Sequence, residues 1–193
     1  MIADQSEFIP LETSRLILRR FVDSDLPAIF AYRNDPEVAR YQSWSVTDET
    51  GLKDFIQSQK SLQPGTPGEW FQFAIELKET KELIGDCALK VNKEDTCLGE
   101  IGFTLSRKYQ GRGFAAEAVS ALLDYAFTKL ELHRIIAITD CENAGSVRLL
   151  ERLGMRREGH FIQSVWNKGE WRDEYQYAIL RDEWVQKREG KIK

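Results

Sequence analysis

Residues 107 to 118, RKYQGRGFAAEA, set Arg107, Lys108 and Arg112 around Gln110, Gly111 and Gly113, directly ahead of a run with helical periodicity. That combination is suited to holding an anion. Glycines let backbone amides come close to a phosphate, small Ala115 and Ala116 keep the first helical turn uncrowded, and the exposed N–H groups of a helix start bind negative charge without a metal. Two glycines at a helix start are costly by propensity, so their presence points to close backbone approach rather than to a plain turn. Read as Gly111-x-Gly113-x-x-Ala116, the loop also matches a dinucleotide fingerprint, with Asp140 after the next strand in the position of a ribose-binding acid. Context rules against it. Ser106 to Gln110 separate the glycines from the strand before them, and the chain beyond supplies too few βαβ units for a doubly wound sheet.

Other side chains that could carry chemistry stand on either side of this loop. Period-two alternation puts Glu100 on one strand face with Thr104, opposite Ile101 and Phe103, where its carboxylate could take a proton. Asn143 and Ser146 are one helical turn apart and share a face. His133 and His160 are too separated for a metal site, and Cys87, Cys97 and Cys141 lack paired metal-type spacing, so no metal is expected.

The elements that must position these residues follow from pattern. Ser14 to Phe21 alternates as a strand, and Asp23-Ser24-Asp25 offers N-cap chemistry for a helix to about Asn34. A second helix is expected from Thr47 to Leu62. Trp70 to Lys78, Glu82 to Val91 and Leu98 to Leu105 read as an antiparallel meander leading into the loop. From Gly113 to Leu130, apolar residues at every third or fourth position mark an amphipathic helix. Arg134 to Thr139, RIIAIT, suits a strand covered on both faces, and Asn143 to Leu153 suits a helix ended by Gly154 as a left-handed cap. Phe161 to Trp166 and Trp171 to Leu180 flank the hairpin signal Asn167-Lys168-Gly169. The fold class is mixed α/β with a largely antiparallel sheet.

With 193 residues and no linker or repeat, the chain reads as one domain over residues 1–193. A formal charge of −4, from 27 basic and 31 acidic residues, argues against bulk attraction to nucleic acid or acidic lipid and leaves room for a local basic cluster. The segment MIADQSEFIPLETSR lacks a basic region followed by an apolar run, no stretch is long enough to span a bilayer, and the odd cysteine count argues against a disulfide framework. A cytoplasmic location is the expectation.

Read as Gln110-x-x-Gly113-x-Ala115, the loop resembles the acetyl-CoA pyrophosphate loop of the GNAT N-acetyltransferases. LGEIGFTL at Leu98 to Leu105, LHRIIA at Leu132 to Ala137, Asn143-x-x-Ser146, and Leu153-Gly154-Met155 with Glu158-Gly159 are similar to the branch that includes ribosomal-protein alanine and serine acetyltransferases. The likeness runs from Leu16-Ile17-Leu18-Arg19 to Trp171-x-Asp173. It implies the GNAT fold: a mixed, largely antiparallel central sheet with flanking helices and a splayed pair of strands, with pantetheine in the gap pairing like a missing strand. Phe103, Thr104, Arg107, Lys108, Gln110, Gly111, Arg112, Gly113, Phe114, Ala115, Ala116, Asn143 and Ser146 would contact acetyl-CoA.

The same resemblance assigns roles. A backbone N–H near Ile101 to Thr104 would polarise the thioester carbonyl, and Glu100 would serve as base. Asn143 would bond the pantetheine arm, a role compatible with capping its helix. Many GNAT enzymes carry a general-acid tyrosine seven residues after this asparagine; here Leu150 stands there, and Ser146 becomes the candidate to protonate the departing thiolate, the alternative being a small residue that permits close packing. Arg33-Asn34-Asp35-Pro36 and Trp44 would floor the acceptor side, with Trp171 and Asp173 approaching from the hairpin. The expectation is direct acetyl transfer from acetyl-CoA to a primary amine in a ternary complex. A protein N-terminus is favoured by resemblance. A small amine (polyamine or aminoglycoside), a noncatalytic acyl-CoA-binding module, and a homodimer remain open.

Overall fold

The computed structural model describes residues 8–44 and 48–190. In chain order these form β1 (Leu11–Glu12), β2 (Leu16–Arg19), α1 (Leu26–Arg33), α2 (Pro36–Ala39), α3 (Glu49–Ser61), β3 (Trp70–Leu77), β4 (Leu83–Val91), β5 (Leu98–Leu105), α4 (Phe114–Thr128), β6 (Arg134–Asp140), α5 (Ala144–Arg152), β7 (Arg156–Asn167), β8 (Glu170–Leu180) and α6 (Arg181–Arg188). The expected helix start at Thr47, like residues 1–7 of the N-terminal segment inspected for a leader, lies outside the described residues.

All eight strands belong to one sheet of order β1-β2-β3-β4-β5-β6-β8-β7. The expected meander is present, with β3, β4 and β5 paired antiparallel in sequence. Among the described strands, only β5 and β6 pair in parallel. Their ladder consists of Leu98–Arg134, Gly99–Ile135 and Glu100–Ile136, and it stops there although β5 continues to Leu105 and β6 to Asp140. The two strands therefore splay, as the resemblance implied.

Pleat alternation divides the core between the two faces. Phe71, Phe73 and Ile75 of β3 pack with Ala118, Val119, Leu122 and Ala126 of α4, while Ala74 packs on the other face with Ile29 and Tyr32 of α1 and Leu52 and Ile56 of α3. Helix α1 packs on this face against β4. Beyond it, Ile135 and Ala137 of β6 are buried under the α4 face, but Ile138 is 42 % exposed on the other. The expectation that Arg134 to Thr139 would be covered on both faces is thus corrected: an apolar run was taken for double burial, whereas one face borders an open cleft.

Local chemistry corrects other boundaries. Asp25 does not cap α1; its carboxylate accepts from the Val22 N–H at 2.9 Å and pairs with Arg19 at 2.7 Å, so a 3₁₀ turn at Asp23–Asp25 precedes a helix that starts at Leu26. The strand expected at Ser14 to Phe21 is trimmed to Leu16–Arg19, and β7 begins at Arg156, earlier than Phe161, because polar Arg156 and Arg157 pair with β8. The hairpin turn is Lys168-Gly169, both with positive φ (50° and 92°), closed by the Asn167–Glu170 pair. Gly154 has φ +87° and ends α5 as expected.

One carboxylate ties the N-terminal segment to α4. Glu117 accepts from Thr13 Oγ1 (2.6 Å), Ser14 Oγ (3.0 Å), the Arg15 backbone N–H (2.9 Å) and Arg15 Nε (2.6 Å). Burial works to raise its pKa, and the bonds from Thr13, Arg15 and Ser14 outweigh it, leaving the carboxyl below its ordinary value. A depressed carboxylate stabilises the fold above its unfolded pKa and loses that contribution as pH falls through the folded one. Glu117→Gln is expected to lower stability near neutral pH by about 1–2 kcal/mol, discounting the half-exposed Arg15. Urea denaturation at a series of pH values should show the variant and the native chain converging as the medium becomes acidic; a difference that persists unchanged would contradict the ionic origin of the clamp.

Candidate active site

At one end of the β5–β6 gap stands the glycine loop. Arg107–Tyr109 form a 3₁₀ turn, Gly111 and Gly113 have φ of +73° and +81°, and Gly113 is the N-cap of α4. A left-handed backbone is open to glycine and strained for other residues. A Cβ on Gly111 would meet nothing within 4 Å, and one on Gly113 would approach only Arg15 Nη2, at 3.5 Å. The space in front of these amides is therefore clear. The Glu117 N–H donates to the Gly113 carbonyl at 3.1 Å as the first helical bond, which directs the N–H groups of Gly113, Phe114, Ala115 and Ala116 out of the helix.

The loop's side chains divide their work. Gln110 Nε2 donates to the Leu105 carbonyl at 2.9 Å, fastening the loop to the end of β5. Tyr109, buried, donates from its hydroxyl to Glu82 at 2.6 Å. Lys108 pairs with the same Glu82 at 3.3 Å, and Arg107 reaches Asp35 at 3.6 Å. Arg112 lies over the Phe114 ring at 5.1 Å and has its carbonyl held by Arg15 Nη1 at 3.1 Å. Arg15 was not singled out from sequence; its guanidinium, 4.4 Å from the Phe114 ring centre, is brought to the loop by the Glu117 clamp.

Across the gap, Asn143 caps α5, its Oδ1 accepting from the Ser146 N–H at 3.1 Å. Ser146 is half-buried in the first turn of that helix, and Leu150 is fully buried one turn further on. Phe103 packs against the α4-side core, whereas Thr104 is buried on the opposite face, across from Asp86 of β4.

At the foot of the gap lies a cleft of about 280 Å³ lined by Lys90, Asn92, Glu100, Arg134, Ile136 and Gln176, among others. Lys90 is opposite Glu100 in the β4–β5 ladder, and Glu100 is opposite Ile136 in the last rung of the β5–β6 ladder. Burial pushes the Glu100 carboxyl above the ordinary carboxylate value; Lys90 pulls it back and Glu174 adds to the rise. This is the behaviour of a carboxylate that can accept a proton at the point where the sheet opens.

The α1–α2 arm beside the cleft is joined to the far side of the gap. Lys168 Nζ in the hairpin turn donates to the Ala39 carbonyl, Arg40 pairs with Glu142 at 3.4 Å, and Arg172 binds Asp140 (2.7 Å), Glu142 (2.8 Å) and Glu170 (2.7 Å). Below the arm, Asp86 accepts from the Tyr32 hydroxyl at 2.5 Å and faces Arg33 at 3.6 Å, whose guanidinium lies between Trp44 (4.7 Å) and Phe55 (4.3 Å). Trp171 stacks edge-on with Trp166 at 5.5 Å, and Asp173 accepts from the Gln163 N–H at 2.8 Å, both contacts lying within the β7–β8 hairpin. Lys90, Arg134 and Gln176 were missed in the sequence; alternation placed each on a strand, but only the register brings them together.

Residues 15–156 match the family model described as an acetyltransferase (GNAT) domain. The uncharacterized N-acetyltransferase YnaD of Bacillus subtilis is 38 % identical over 175 residues, covering 90 % of this chain and 98 % of YnaD. The alanine N-acetyltransferase of ribosomal protein uS5 from Escherichia coli is 30 % identical over 123 residues, 61 % of each chain. Among solved structures, a GNAT-family acetyltransferase from Bacillus anthracis aligns with a TM-score of 0.81 at 34 % identity, covering 91 % of this chain and all of its own. The spermidine N-acetyltransferase of Vibrio cholerae, solved with CoA and spermine, aligns with a TM-score of 0.77 at 26 % identity, covering 90 % and 99 %. No helix among the described residues is long and apolar enough to cross a membrane.

Proposed function

Since the chain belongs to the GNAT acetyltransferase family, we propose that it moves the acetyl group of acetyl-CoA directly onto the α-amine of a protein N-terminus docked at Glu100. The observation that carries this reading is the β5–β6 ladder breaking at the Glu100–Ile136 rung, with a carboxylate of raised pKa at the break and a left-handed glycine loop at the other end. The amides of Gly111, Gly113, Phe114, Ala115 and Ala116 would take the pyrophosphate, with Arg112 adding charge and Arg107 and Lys108 doing so after leaving Asp35 and Glu82. The strand edges beyond the break would take the pantetheine amides, Phe103 and Thr104 on one side and Asn143 on the other.

In the transfer step the amine nitrogen attacks the thioester carbon as Glu100 accepts its proton, and a backbone N–H of β5 stabilises the oxyanion. Collapse of that intermediate breaks the C–S bond, and the Ser146 hydroxyl relays a proton to the CoA thiolate, regaining one from solvent as Glu100 releases its own to solvent. A protein N-terminus is the favoured acceptor because one relative acts on the alanine of a ribosomal protein and because an α-amine asks little of its base.

Gly113→Asp is expected to abolish acetyl-CoA binding, since it adds bulk and negative charge at a φ of +81° where a phosphate must approach. Calorimetry with an unchanged affinity would remove the loop from the donor site.

Ser146→Ala should lower kcat by about one to three decades, against the ~10²–10⁴-fold typical of general acids, with little change in acetyl-CoA affinity. Glu100→Gln should lower the rate and remove a limb of the pH–rate profile that lies above the ordinary carboxylate range, because the raised pKa leaves the carboxyl protonated and inactive as base on its acid side. CoA-thiol release from N-terminal peptides across pH measures both. Retention of full kcat by Ser146→Ala, with chemistry rate-limiting, would transfer the proton donation to water.

A further inference from the structure

We propose that Lys90 is a specificity-determining residue that reads an oxygen one carbon away from the reacting amine, so that the acceptor is an α-amino acyl group and not a polyamine. The inference rests on the reading that the acceptor amine docks at Glu100. It starts from register: Lys90 and Glu100 are directly opposed on β4 and β5 and open into the same cleft, and side chains so paired have Cβ atoms about 4.5–5.5 Å apart. From Cβ atoms that close, the two flexible side chains can take up one acceptor between them, Glu100 at its amine and Lys90, once swung from Trp70 on β3, at an oxygen on the neighbouring carbon.

The other charges around the cleft are already engaged. Arg134 is held by Glu158 at 2.5 Å, and Glu174 accepts from Ser164 Oγ at 2.8 Å. Asn92 accepts from the Glu94 and Asp95 N–H groups at 2.8 and 2.9 Å, which fixes its carbonyl end. The Lys90 ammonium instead lies 5.8 Å from the Trp70 ring centre, half-buried, with its charge still felt at Glu100. A lysine so placed favours an oxygen acceptor and repels a second ammonium, so the same residue that attracts an α-amino acyl group works against a polycation extended along the cleft. The shared chemistry of a peptide N-terminus and a free amino acid is the oxygen next to the amine; a peptide offers a neutral carbonyl, an amino acid a carboxylate.

The test follows acetyl-CoA-dependent thiol release by the full chain and its Lys90→Met and Lys90→Glu variants with four acceptors: an N-terminal alanyl peptide, free alanine, isopropylamine (a branched primary amine without the oxygen, compared at equal concentration of neutral amine) and spermidine. Lys90→Met is expected to raise KM about tenfold, a loss of about 1.4 kcal/mol, for whichever of the alanyl peptide and alanine the native chain prefers. Loss of the lysine charge also releases Glu100 to a higher pKa, a change common to all four acceptors, so the KM rise is read relative to isopropylamine at the pH optimum of each variant, where isopropylamine kcat also reports on folding. Lys90→Glu should improve spermidine relative to the native chain. Equal effects of Lys90→Met on the alanyl peptide and isopropylamine, or a native preference for spermidine over both α-amino acceptors, would overturn the inference. Glu100→Gln with undiminished rates on all four acceptors would instead overturn the placement of the acceptor on which it rests.

Discussion

A parallel ladder that ends three rungs in is the constraint on which this site depends. Backbone N–H and C=O groups are obligatory bonding partners, and a sheet that lets two adjacent strands part must satisfy the freed edges by other means. Here the parting is enforced from both sides: β5 is held through its whole length by antiparallel β4, and β6 by antiparallel β8. Neither strand can swing back without breaking a complete ladder. The gap is thus a property of the sheet, and a ligand with amide groups of its own is what such an edge accepts.

The two ends of the gap are built by different physics. The loop end relies on backbone geometry, with two left-handed glycines and the start of a helix whose register Glu117 fixes against the N-terminal segment. The foot relies on side chains brought together by register, Lys90 to Glu100 to Ile136 across three strands. The loop's formal charges count for less than their number suggests. Arg107 and Lys108 are exposed and paired with Asp35 and Glu82, and exposed pairs are worth little and readily exchanged. Arg107 in particular joins the loop to the N-cap of α2, one of several ties on an arm that Lys168, Glu142 and Asp86 also hold.

How much of this was legible in the sequence divides along the same line. The meander, the long amphipathic helix, Gly154 as a cap and the loop with its glycines could all be read because local pattern determines them: alternation, a 3.6-residue period and positive φ leave a trace within a few residues. The resemblance supplied the splay, which no window of the chain encodes. What was misread involved partners distant in the chain. Asp25 looked like a cap and is claimed by Arg19 and the Val22 N–H; RIIAIT looked doubly buried because the open cleft beside Ile136 and Ile138 belongs to the whole sheet; and the polar start of β7 is a strand because β8 pairs with it. Lys90 and Gln176 fall in the same class, as ordinary polar positions until the register sets them around Glu100.

The surroundings of Glu100 bear on the kind of amine such a site would serve in the proposed reaction. An α-amine of pKa near 8 is already about a tenth neutral at pH 7, whereas a lysine near 10.4 has about one molecule in 2,500 neutral, a penalty of about 4.6 kcal/mol. A base that must remove that second proton needs a pKa driven far upward, by full burial or by a close like charge. Glu100 has neither: it is partly exposed, Lys90 opposes the rise that burial produces, and Glu174 acts more weakly than either. With Glu100 in its proposed role as base, the lysine that opposes its rise suits an acceptor that arrives largely predisposed to lose its proton. An amine adjacent to a carbonyl is of that kind, since electron withdrawal by the neighbouring carbon lowers its pKa. On the proposed reading, the same cation would both temper the base and favour an acceptor that does not require a strong one.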